Sequence, residues 1–451
     1  MQKACMIGAG YVGLVTGVCL ADFGNKVTCV DLDEEKIGAL LAGQMPFYEP
    51  GLEEIVRRNV REGRLSFTSD LPRAIRDNQV VFIAVGTPQS DSGHADLSQV
   101  FSAARAIARN LNGYKLIVQK STVPVGTGEE VLRIIKQNRR GNVPFDVASN
   151  PEFLREGSAV EDFMRPDRVV IGTWSRRAEG LLAEIYRPLY LIETPMVRTN
   201  VQTAELIKYA SNAFLATKIS FINEMANLCE IVGADVKVVA RGMGLDKRIG
   251  SKFLHAGPGY GGSCFPKDTH ALAALASRAG SPCEIVEATI DVNRRQRERM
   301  LEKILRIAGS VRGKEIGVLG LAFKPQTDDV RESVALDLIR GLRRRGTRIR
   351  TFDPVAMSRA AQELGRGVKF CGDAYEVAKG AQVLVIATEW NEFRMLDLRK
   401  LRRIMKSPIV VDCRNIYDPE KMVSLGFRYV GVGRGTPAAR AKAARRSRRK
   451  A

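Results

Sequence analysis

The residues best suited to covalent chemistry lie in one glycine-rich segment, 257–268, which reads Gly-Pro-Gly-Tyr-Gly-Gly-Ser-Cys-Phe-Pro-Lys-Asp. Cys264 stands at the predicted start of a helix, and Lys267 follows three positions later. A helix N-terminus and a nearby ammonium both lower the pKa of a thiol and raise its thiolate fraction. Asp268, one helical turn beyond Cys264, projects to the same side. The pattern indicates a nucleophilic cysteine, with an inert buried cysteine as the alternative.

A second chemical pattern begins the chain. Gly8-Ala-Gly-Tyr-Val-Gly13 follows an apolar run and opens a predicted helix. Gly8 permits a tight turn, Gly10 lets the backbone approach a pyrophosphate, and Gly13 lets the helix pack closely on the strand. Asp31 ends the next predicted strand, where it can accept hydrogen bonds from ribose hydroxyls and would repel a 2′-phosphate. The block predicts NAD rather than NADP as cofactor.

Two further pairs of polar residues are spaced four apart, Glu152 with Glu156 and Lys208 with Asn212. Each pair shares a helix face if its segment is helical. A solvated face is the simpler interpretation for both, because spacing alone does not assign chemistry. A hydride acceptor beside a nucleophilic Cys264 nevertheless fits a four-electron oxidation of an alcohol to an acid, through a thiohemiacetal and a thioester.

Alternating strands and helices must position these groups. Short segments rich in apolar or β-branched residues predict two buried parallel sheets. The first would contain Lys3–Ile7, Lys26–Val30, Val80–Val85, Leu116–Gln119 and Val169–Ile171, and the second Ile316–Leu319, Arg348–Phe352, Val383–Ala387 and Ile409–Val411. Helical periodicity between the two sets predicts one long helix from about Val201 and another over Glu284–Ala308. The fold class is therefore α/β, with two Rossmann-like doubly wound parallel-sheet domains joined by a long central helix in a helical dimerisation domain.

Composition excludes several classes of protein. Hydrophobic residues make up 45% of the 451, enough for sizeable cores, so a mainly disordered chain is excluded. The net charge of +20 favours anionic ligands such as phosphates. Eight cysteines without a Cys-x-x-Cys spacing, and only three histidines, predict no metal site and fit a reducing cytoplasm. The charge-free stretch Ala4–Ala21 has the length of a signal peptide or membrane anchor, but the dinucleotide turn explains its glycines better, so no membrane span is expected.

With these motifs the sequence resembles the UDP-glucose/GDP-mannose dehydrogenase family over about Met1–Arg434. The likeness rests on six ordered segments: Gly-Ala-Gly-Tyr-Val-Gly-Leu at 8–14, Val-Gly-Thr-Pro at 85–88, Lys-Ser-Thr-Val-Pro-Val-Gly-Thr at 120–127, Asn-Pro-Glu-Phe-Leu-Arg-Glu-Gly at 150–157, Gly-Tyr-Gly-Gly-Ser-Cys-Phe-Pro-Lys-Asp at 259–268 and Leu-Ala-Phe-Lys-Pro-Gln-Thr-Asp-Asp-Val-Arg-Glu-Ser at 321–333. His255 stands where some relatives have lysine.

The resemblance implies an NAD-dependent nucleotide-sugar 6-dehydrogenase that consumes two NAD per substrate. It implies that Cys264 is the nucleophile and that Lys208 stabilises the oxyanion or takes part in proton transfer, with Asn212 beside it as a donor. Asp268 and Thr122 would hold a water, Glu156 would lie near Thr122, and Glu152 would be the base for thioester hydrolysis. The division of base roles among Asp268, Lys208 and Glu152 stays open.

The resemblance also implies two sets of binding residues. The cofactor set is Gly8, Gly10, Tyr11, Val12, Gly13, Asp31, Lys36, Thr87, Thr122, Glu156, Lys267 and Arg331, with a solvated charge as the alternative for Lys36. The substrate set is Glu152, Phe153, Leu154, Lys208, Asn212, Arg248, Phe253, Leu254, Tyr260, Gly261, Cys264, Phe323 and Lys324. Arg248 would reach the substrate of a neighbouring subunit, so a homodimer or higher homo-oligomer is expected.

By this resemblance, the residues of the motifs favour oxidation of UDP-glucose to UDP-glucuronate, with GDP-mannose or a UDP-N-acetylhexosamine as alternative substrates. The implied domains are an NAD-binding domain at 1–200, a central helical dimerisation domain at 201–300, a UDP-sugar-binding domain at 301–436 and a disordered basic tail at 437–451. Three alternatives of other kinds are an idle nucleotide-sensing scaffold, a nucleic-acid binder and a simple two-electron dehydrogenase. Nucleic acid is not the expected partner, because like-charge tails are usually solvated.

Overall fold

The computed structural model describes residues 1–90 and 93–434, so the predicted tail at 437–451 lies outside the described residues. The chain divides into two compact units. The first comprises Met1–Ser211 with Ala274–Gly280, and the second comprises Asn212–Ala273 and the chain from Ser281 onward. Each unit has its own sheet and its own buried core.

The first unit is built on an eight-stranded sheet. Its strands are β1 (Lys3–Ile7), β2 (Lys26–Val30), β3 (Leu65–Thr68), β4 (Val80–Ile83), β5 (Lys115–Gln119), β6 (Phe145–Ser149), β7 (Val169–Thr173) and β8 (Met196–Thr199). The strand order is β3-β2-β1-β4-β5-β6-β7-β8. All neighbours are parallel except β6 and β7, which are antiparallel. The central strands are fully buried, as expected for a sheet that helices cover on both faces.

Short helices connect these strands. They are α1 (Tyr11–Asp22), α2 (Glu34–Leu41), α3 (Leu52–Arg61), α4 (Leu71–Asp77), α5 (Ser98–Arg109), α6 (Thr127–Asn138), α7 (Ala159–Met164) and α8 (Arg176–Ile185), followed by a 3-10 helix at Arg187–Ile192. The charge-free stretch Ala4–Ala21 is thus divided between β1, a turn and α1. Across the described residues, no helix has the length and apolar character needed to cross a bilayer.

Four helices follow the first sheet. They are α9 (Val201–Val232), α10 (Val236–Gly244), α11 (Phe265–Arg278) and α12 (Glu284–Ala308). The predicted long central helix is confirmed as α9, which has 32 residues. The boundary between the two units falls within α9 and again within α11.

The second unit contains a six-stranded sheet in which every pair of neighbours is parallel. Its strands are β9 (Glu315–Leu319), β10 (Arg348–Phe352), β11 (Val368–Phe370), β12 (Val383–Ile386), β13 (Ile409–Asp412) and β14 (Arg428–Val430). The helices are α13 (Val334–Arg343), α14 (Met357–Leu364), α15 (Ala374–Ala378), α16 (Asn391–Arg394), α17 (Leu398–Ile404) and α18 (Pro419–Ser424). The strand order is β11-β10-β9-β12-β13-β14, and the predicted fold class is confirmed.

Two expectations need correction. Val169–Ile171 was expected in a wholly parallel sheet, but β7 runs antiparallel to β6. Residues 150–157 are not helical, so Glu152 and Glu156 do not share a helix face. Pro151 disfavours the helical region for Asn150, and the Glu152 carboxylate accepts the Leu154 amide at 2.5 Å, which fixes a local turn instead.

Candidate active site

The turn between β1 and α1 has the shape that the first motif predicts. Gly8 has φ +101°, and a Cβ there would lie 2.7 Å from the Ala84 carbonyl oxygen. A Cβ at Gly13 would overlap the carbonyl oxygen of Gly8. A Cβ at Gly10 would meet no protein atom within 4 Å. Gly8 and Gly13 therefore serve the fold, whereas Gly10 leaves open space at the N-terminus of α1, where amide groups favour phosphate.

Asp31 follows β2 at the same edge of the sheet. Its carboxylate accepts the Ala9 amide at 2.8 Å and the Lys36 ammonium at 3.0 Å. Burial acts to raise the pKa of Asp31, but the hydrogen bonds from Ala9, Asp33 and Lys36 outweigh it and hold the pKa below its usual value. Lys36 is thus paired with the predicted ribose acid, while its side chain stays 28% exposed.

Glu49 joins the cofactor turn to the segment that carries the predicted acids, and sequence reasoning missed it. It is buried and accepts the Tyr11 hydroxyl, the Gly157 amide at 2.6 Å and the Ala159 amide at 2.7 Å. Burial raises the pKa of Glu49, although these three donors oppose the shift. Tyr11 of the glycine motif is therefore fixed to the chain directly after Glu156.

Two further motifs meet beside this turn, after β4 and β5. The Thr87 hydroxyl donates to the Thr122 carbonyl at 3.0 Å, and the Ser121 hydroxyl donates to the Val85 carbonyl at 2.7 Å. Both segments follow parallel strands at their carboxyl ends, where ligands bind in sheets of this kind. Thr87 and Thr122 are consequently held in one loop cluster.

Glu152 and Lys208 form a buried ion pair in the first unit. The Lys208 ammonium lies 2.9 Å from the Glu152 carboxylate, and each side chain is 4% exposed. Burial acts to raise the pKa of Glu152, but the charge and hydrogen bond of Lys208, the Leu154 amide and the charge of Lys120 lower it overall. The solvated-face interpretation is wrong for both residues, because each is desolvated with a charged partner.

Aromatic and cationic groups surround this pair. The Arg168 guanidinium lies 3.5 Å from the ring centroid of Phe153, and the Lys208 ammonium lies 5.4 Å from the same centroid. Three cations, Lys120, Lys208 and Arg168, influence the single carboxylate of Glu152. The charge of Glu152 is therefore compensated by several nearby cations.

The thiol segment lies in the second unit, and Cys264 directly precedes α11 as predicted. The Asp268 amide donates to the Cys264 carbonyl at 2.8 Å, which forms the first turn of that helix. The Ser263 hydroxyl lies 3.5 Å from the Cys264 sulfur. Asn212 donates to Asp268 at 2.6 Å, and Lys267 donates to the other carboxylate oxygen at 2.7 Å. Asn212 and Asp268 are both buried, so the solvated-face interpretation is also wrong for Asn212.

The glycines of this segment make room for the chain itself. A Cβ at Gly259 would lie 2.6 Å from Asn293 Oδ1, and one at Gly262 would lie 2.7 Å from the Phe323 ring. A Cβ at Gly261 would overlap the Glu332 carbonyl oxygen. Tyr260 donates its amide to Asn293 at 2.8 Å. The glycines thus allow the cysteine segment to pack closely against α12 and against the loop after β9.

The remaining predicted binding residues of the second unit occupy different surroundings. Leu254 and Tyr260 are buried, and the Phe265 ring lies about 6 Å from those of Tyr260 and Phe253. The Phe323 carbonyl accepts from Arg414 at 2.7 Å. Lys324 has its ammonium 5.6 Å from the Phe323 ring centroid. Arg248 and Arg331 are exposed and pair with Asp246 and Asp329, each at 2.7 Å.

Three models of one protein family match most of the chain. The NAD binding domain of the UDP-glucose/GDP-mannose dehydrogenase family matches residues 2–190. The central domain of the same family matches residues 202–295, and its UDP binding domain matches residues 317–419.

The chain belongs to the UDP-glucose/GDP-mannose dehydrogenase family.

Relatives in this family align over nearly the whole chain. A UDP-glucose 6-dehydrogenase of Rhizobium meliloti is 56% identical over 437 residues, which cover 96% of this chain and 100% of the relative. The UDP-glucose 6-dehydrogenase TuaD of Bacillus subtilis is 50% identical, over 96% of this chain and 94% of the relative. The crystal structure of a UDP-glucose dehydrogenase from Pyrobaculum islandicum has a TM-score of 0.90 at 41% identity, covering 96% of this chain and 98% of that one.

Membership in the dehydrogenase family establishes the reaction type. The chain is an NAD-dependent nucleotide-sugar dehydrogenase. The residues fit the cofactor, because Gly10 leaves space beside the helix N-terminus and Asp31 ends the adjoining strand. Sequence reasoning located the motifs of both units, including those that contain Lys120 and Asn150. It singled out neither these two residues nor Glu49 and Tyr186, because their burial depends on partners that are distant in the chain.

Proposed function

We propose that this enzyme oxidises UDP-glucose to UDP-glucuronate through a thioester on Cys264. The observation that carries the proposal is the buried Lys208–Glu152 pair, since a desolvated cation and a carboxylate held ionised suit oxyanion stabilisation and base catalysis. The position of Cys264 before α11 adds the nucleophile. UDP-glucose is chosen because relatives at 56% and 50% identity bear the name UDP-glucose 6-dehydrogenase.

The proposed reaction removes two hydrides in succession. Bound NAD supplies the hydride acceptor, and two are consumed. The C6 alcohol first loses a hydride and a proton and becomes an aldehyde. The Cys264 thiolate adds to this aldehyde to give a thiohemiacetal, and loss of the second hydride and a proton leaves a thioester. Water then breaks the carbon–sulfur bond, so the carboxylate leaves and the thiol is regenerated.

We assign a task in these steps to each predicted catalytic residue. Lys208 stabilises the oxyanions, and Glu152 takes the proton of the attacking water. Asn212 and Lys267 hold the Asp268 carboxylate through hydrogen bonds of 2.6 and 2.7 Å, so Asp268 is a positioned acceptor. Thr122 and Glu156 are assigned to the cofactor end, where Thr87 and Glu49 hold the chain segments that carry them.

We further propose that the enzyme is a homodimer, or a higher homo-oligomer built from this dimer. Apolar side chains repeat every seven residues along α9, at Phe214, Phe221 and Leu228, and all three are exposed. Ile231 continues this face and is 73% exposed. Exposed apolar side chains that recur along one side of a long helix favour a partner surface. Exposed Arg248 is the residue we assign to a neighbouring subunit's substrate.

Three domains and a location complete the proposal. Residues 1–200 would bind NAD, residues 201–300 would form the dimer, and residues 301–436 would bind the nucleotide sugar. We place the enzyme in the cytoplasm, because all eight cysteines lie among the described residues and none forms a disulfide.

The stoichiometry of NADH formation tests the proposed chemistry. We expect about two NADH per UDP-glucose, and turnover should collapse in Cys264→Ser because an alcohol cannot replace the thiolate. GDP-mannose and UDP-N-acetylglucosamine, assayed in parallel, should be poor substrates. One NADH per sugar with an unaffected variant would contradict the thioester and leave a two-electron dehydrogenase.

A further inference from the structure

A second buried lysine lies close to the Lys208–Glu152 pair. Lys120 follows β5 and is 4% exposed. Its ammonium donates to Asn150 Oδ1 at 3.0 Å and to the Tyr186 hydroxyl at 3.2 Å. The Tyr186 hydroxyl itself donates to Asn150 Oδ1 at 2.6 Å. Lys120, Asn150 and Tyr186 therefore form a closed triangle of hydrogen bonds inside the first unit.

This triangle supports the segment that carries Glu152. Asn150 is two residues before Glu152, and its amide group donates to the Val170 carbonyl at 2.8 Å. Asn150 is thereby fixed on one side by Lys120 and on the other by the neighbouring strand β7. Because Pro151 restricts the backbone between them, a fixed Asn150 also limits where the Glu152 carboxylate can lie.

Charge links the same groups. The titratable groups that act on Lys120 are Glu152 and Lys208, and the Tyr186 hydroxyl and Asn150 face it as neutral partners. Burial lowers the pKa of Lys120 to about 7, with the charge of Glu152 opposing the shift and that of Lys208 adding to it. The aromatic rings of Phe163 and Tyr186 lie 6.0 and 5.8 Å from the ammonium. In its charged form Lys120 therefore stabilises the ionised form of Glu152.

We propose that Lys120 is a positioning residue for the base of thioester hydrolysis, holding the Asn150–Glu152 turn in place and keeping the Glu152 carboxylate ionised together with Lys208. The proposal rests on the proposed function, in which Glu152 acts as that base. Lys208 already supplies the one cation that the proposed mechanism needs for the oxyanion. The ammonium of Lys120 donates to Asn150 and Tyr186 rather than to Glu152, so Lys120 acts on Glu152 through Asn150 and through its charge.

Lys115, the first residue of β5, offers a matched control. It is also buried, and its ammonium donates to the carbonyls of Arg76 at 3.1 Å and Asn78 at 2.8 Å. These bonds cap the C-terminal end of α4, so Lys115 has a structural task of the same kind without a contact to Asn150 or Glu152. Replacing either lysine by methionine removes one buried ammonium from β5 or its end.

The experiment compares Lys120→Met, Lys115→Met and wild type by thermal unfolding and by the pH dependence of kcat with UDP-glucose and NAD. Both variants should lose stability. Lys120→Met should also lower kcat about tenfold or more and move the acidic limb of the profile to higher pH by about one unit, because Glu152 loses one stabilising cation. Lys115→Met should keep the wild-type limb. Lys120→Arg, which restores a cation, should recover part of both effects.

Tyr186→Phe keeps the proposal testable if Lys120→Met does not fold. It removes the hydroxyl that accepts from Lys120 and donates to Asn150 Oδ1, so the ammonium and the Asn150–Glu152 turn each lose one partner. The acidic limb should move in the same direction by a smaller amount. An unmoved limb in a folded Lys120→Met enzyme, or in Tyr186→Phe, would overturn the proposal.

Two measurements separate this outcome from a failure of the proposed function. Wild type should form two NADH per sugar, and Glu152→Gln should lose the acidic limb and accumulate enzyme-bound sugar. Failure of either result refutes the assigned chemistry. If both hold while Lys120→Met behaves like Lys115→Met, Lys120 is a structural residue and the inference is wrong.

Discussion

Asp31 combines three duties in one carboxylate. It accepts the Ala9 amide of the cofactor turn, the Asp33 amide that leads into α2, and the Lys36 ammonium. The side chain keeps 16% of its surface exposed, which leaves room for the ribose hydroxyls that we expect it to bind. Lys36 beside it has a consequence for cofactor choice, because this ammonium could pair with a 2′-phosphate once the carboxylate is removed.

Asp31→Asn should therefore weaken the preference for NAD over NADP. We expect the KM for NAD to rise about tenfold and the kcat/KM ratio of NAD to NADP to fall, since the repelling charge is lost while Lys36 remains. Steady-state kinetics with both cofactors measure this. Asp33→Asn removes the same charge two residues away, from the cap of α2, and should leave the ratio unchanged. Equal changes in both variants would contradict the assignment.

The predicted residues carry a signal in the neighbouring sequence, whereas the missed residues depend on partners that are distant in the chain. Asp31 and Cys264 could be found because adjacent glycines and strand ends mark them in the sequence. Glu49 belongs to Tyr-Glu-Pro-Gly, which resembles a surface turn, and its partners Gly157 and Ala159 are 108 and 110 residues away. Lys120 stood in a recognised motif, yet only the fold shows that it is buried against Asn150.

The β1–α1 turn separates two uses of glycine within six residues. Gly13 is required by the fold, because a side chain there would collide with the Gly8 carbonyl. Gly10 has ordinary backbone angles, φ −76° and ψ −171°, and open space in front of it. A side chain at Gly13 would therefore affect the stability of the fold, whereas one at Gly10 would affect binding of the ligand.

Gly13→Ala and Gly10→Ala should consequently fail in different ways. Gly13→Ala should lower the free energy of unfolding by about 2–4 kcal/mol, as overpacked sites do. Gly10→Ala should keep the wild-type melting temperature while the KM for NAD rises at least about tenfold, because the methyl group occupies the approach of the pyrophosphate. Thermal melts and NAD titrations distinguish the two. A Gly10→Ala enzyme with normal NAD affinity would place the phosphates elsewhere.

Strands and long helices could be predicted from apolar runs, whereas edges and loops could not. β1, β2 and β10 have the bounds that their sequences predict, because each is rich in apolar or β-branched residues and ends directly before a Gly or an Asp. β6 escaped notice because Phe145–Ser149 mixes polar and apolar residues. The antiparallel step at β7 depends on the pairing of Ser149 with Gly172, which no local pattern encodes.

The apolar face of α9 governs the assembly that we propose. Phe214 is 66% exposed and Phe221 is 43% exposed, so both would be covered in a dimer. Charged groups at these positions would be desolvated in such an interface at high cost. Assembly and activity are therefore expected to fail together if Arg248 acts across the interface.

Phe214→Glu combined with Phe221→Glu should convert the dimer into monomers and reduce kcat/KM for UDP-glucose. Light scattering coupled to gel filtration measures the mass, and the NADH assay measures activity. Met395→Glu changes another exposed apolar residue, 84% exposed, and should remain a dimer. A monomeric wild-type enzyme, or a double variant of unchanged mass, would refute the proposed interface.

The two sheets have a similar strand order, but the aspartates that follow their equivalent strands differ in burial. Asp353 follows β10 as Asp31 follows β2, yet it is fully buried and accepts the Leu321 and Ala322 amides and the Trp390 indole. Among the described residues, the acid after β2 thus stays accessible, whereas the acid after β10 does not. The two NAD molecules of one reaction cycle would then have to bind at the same site, one after the other. In the reaction that we propose, a sugar bound covalently to Cys264 would not diffuse away during this exchange, so the half-oxidised intermediate would stay on the enzyme.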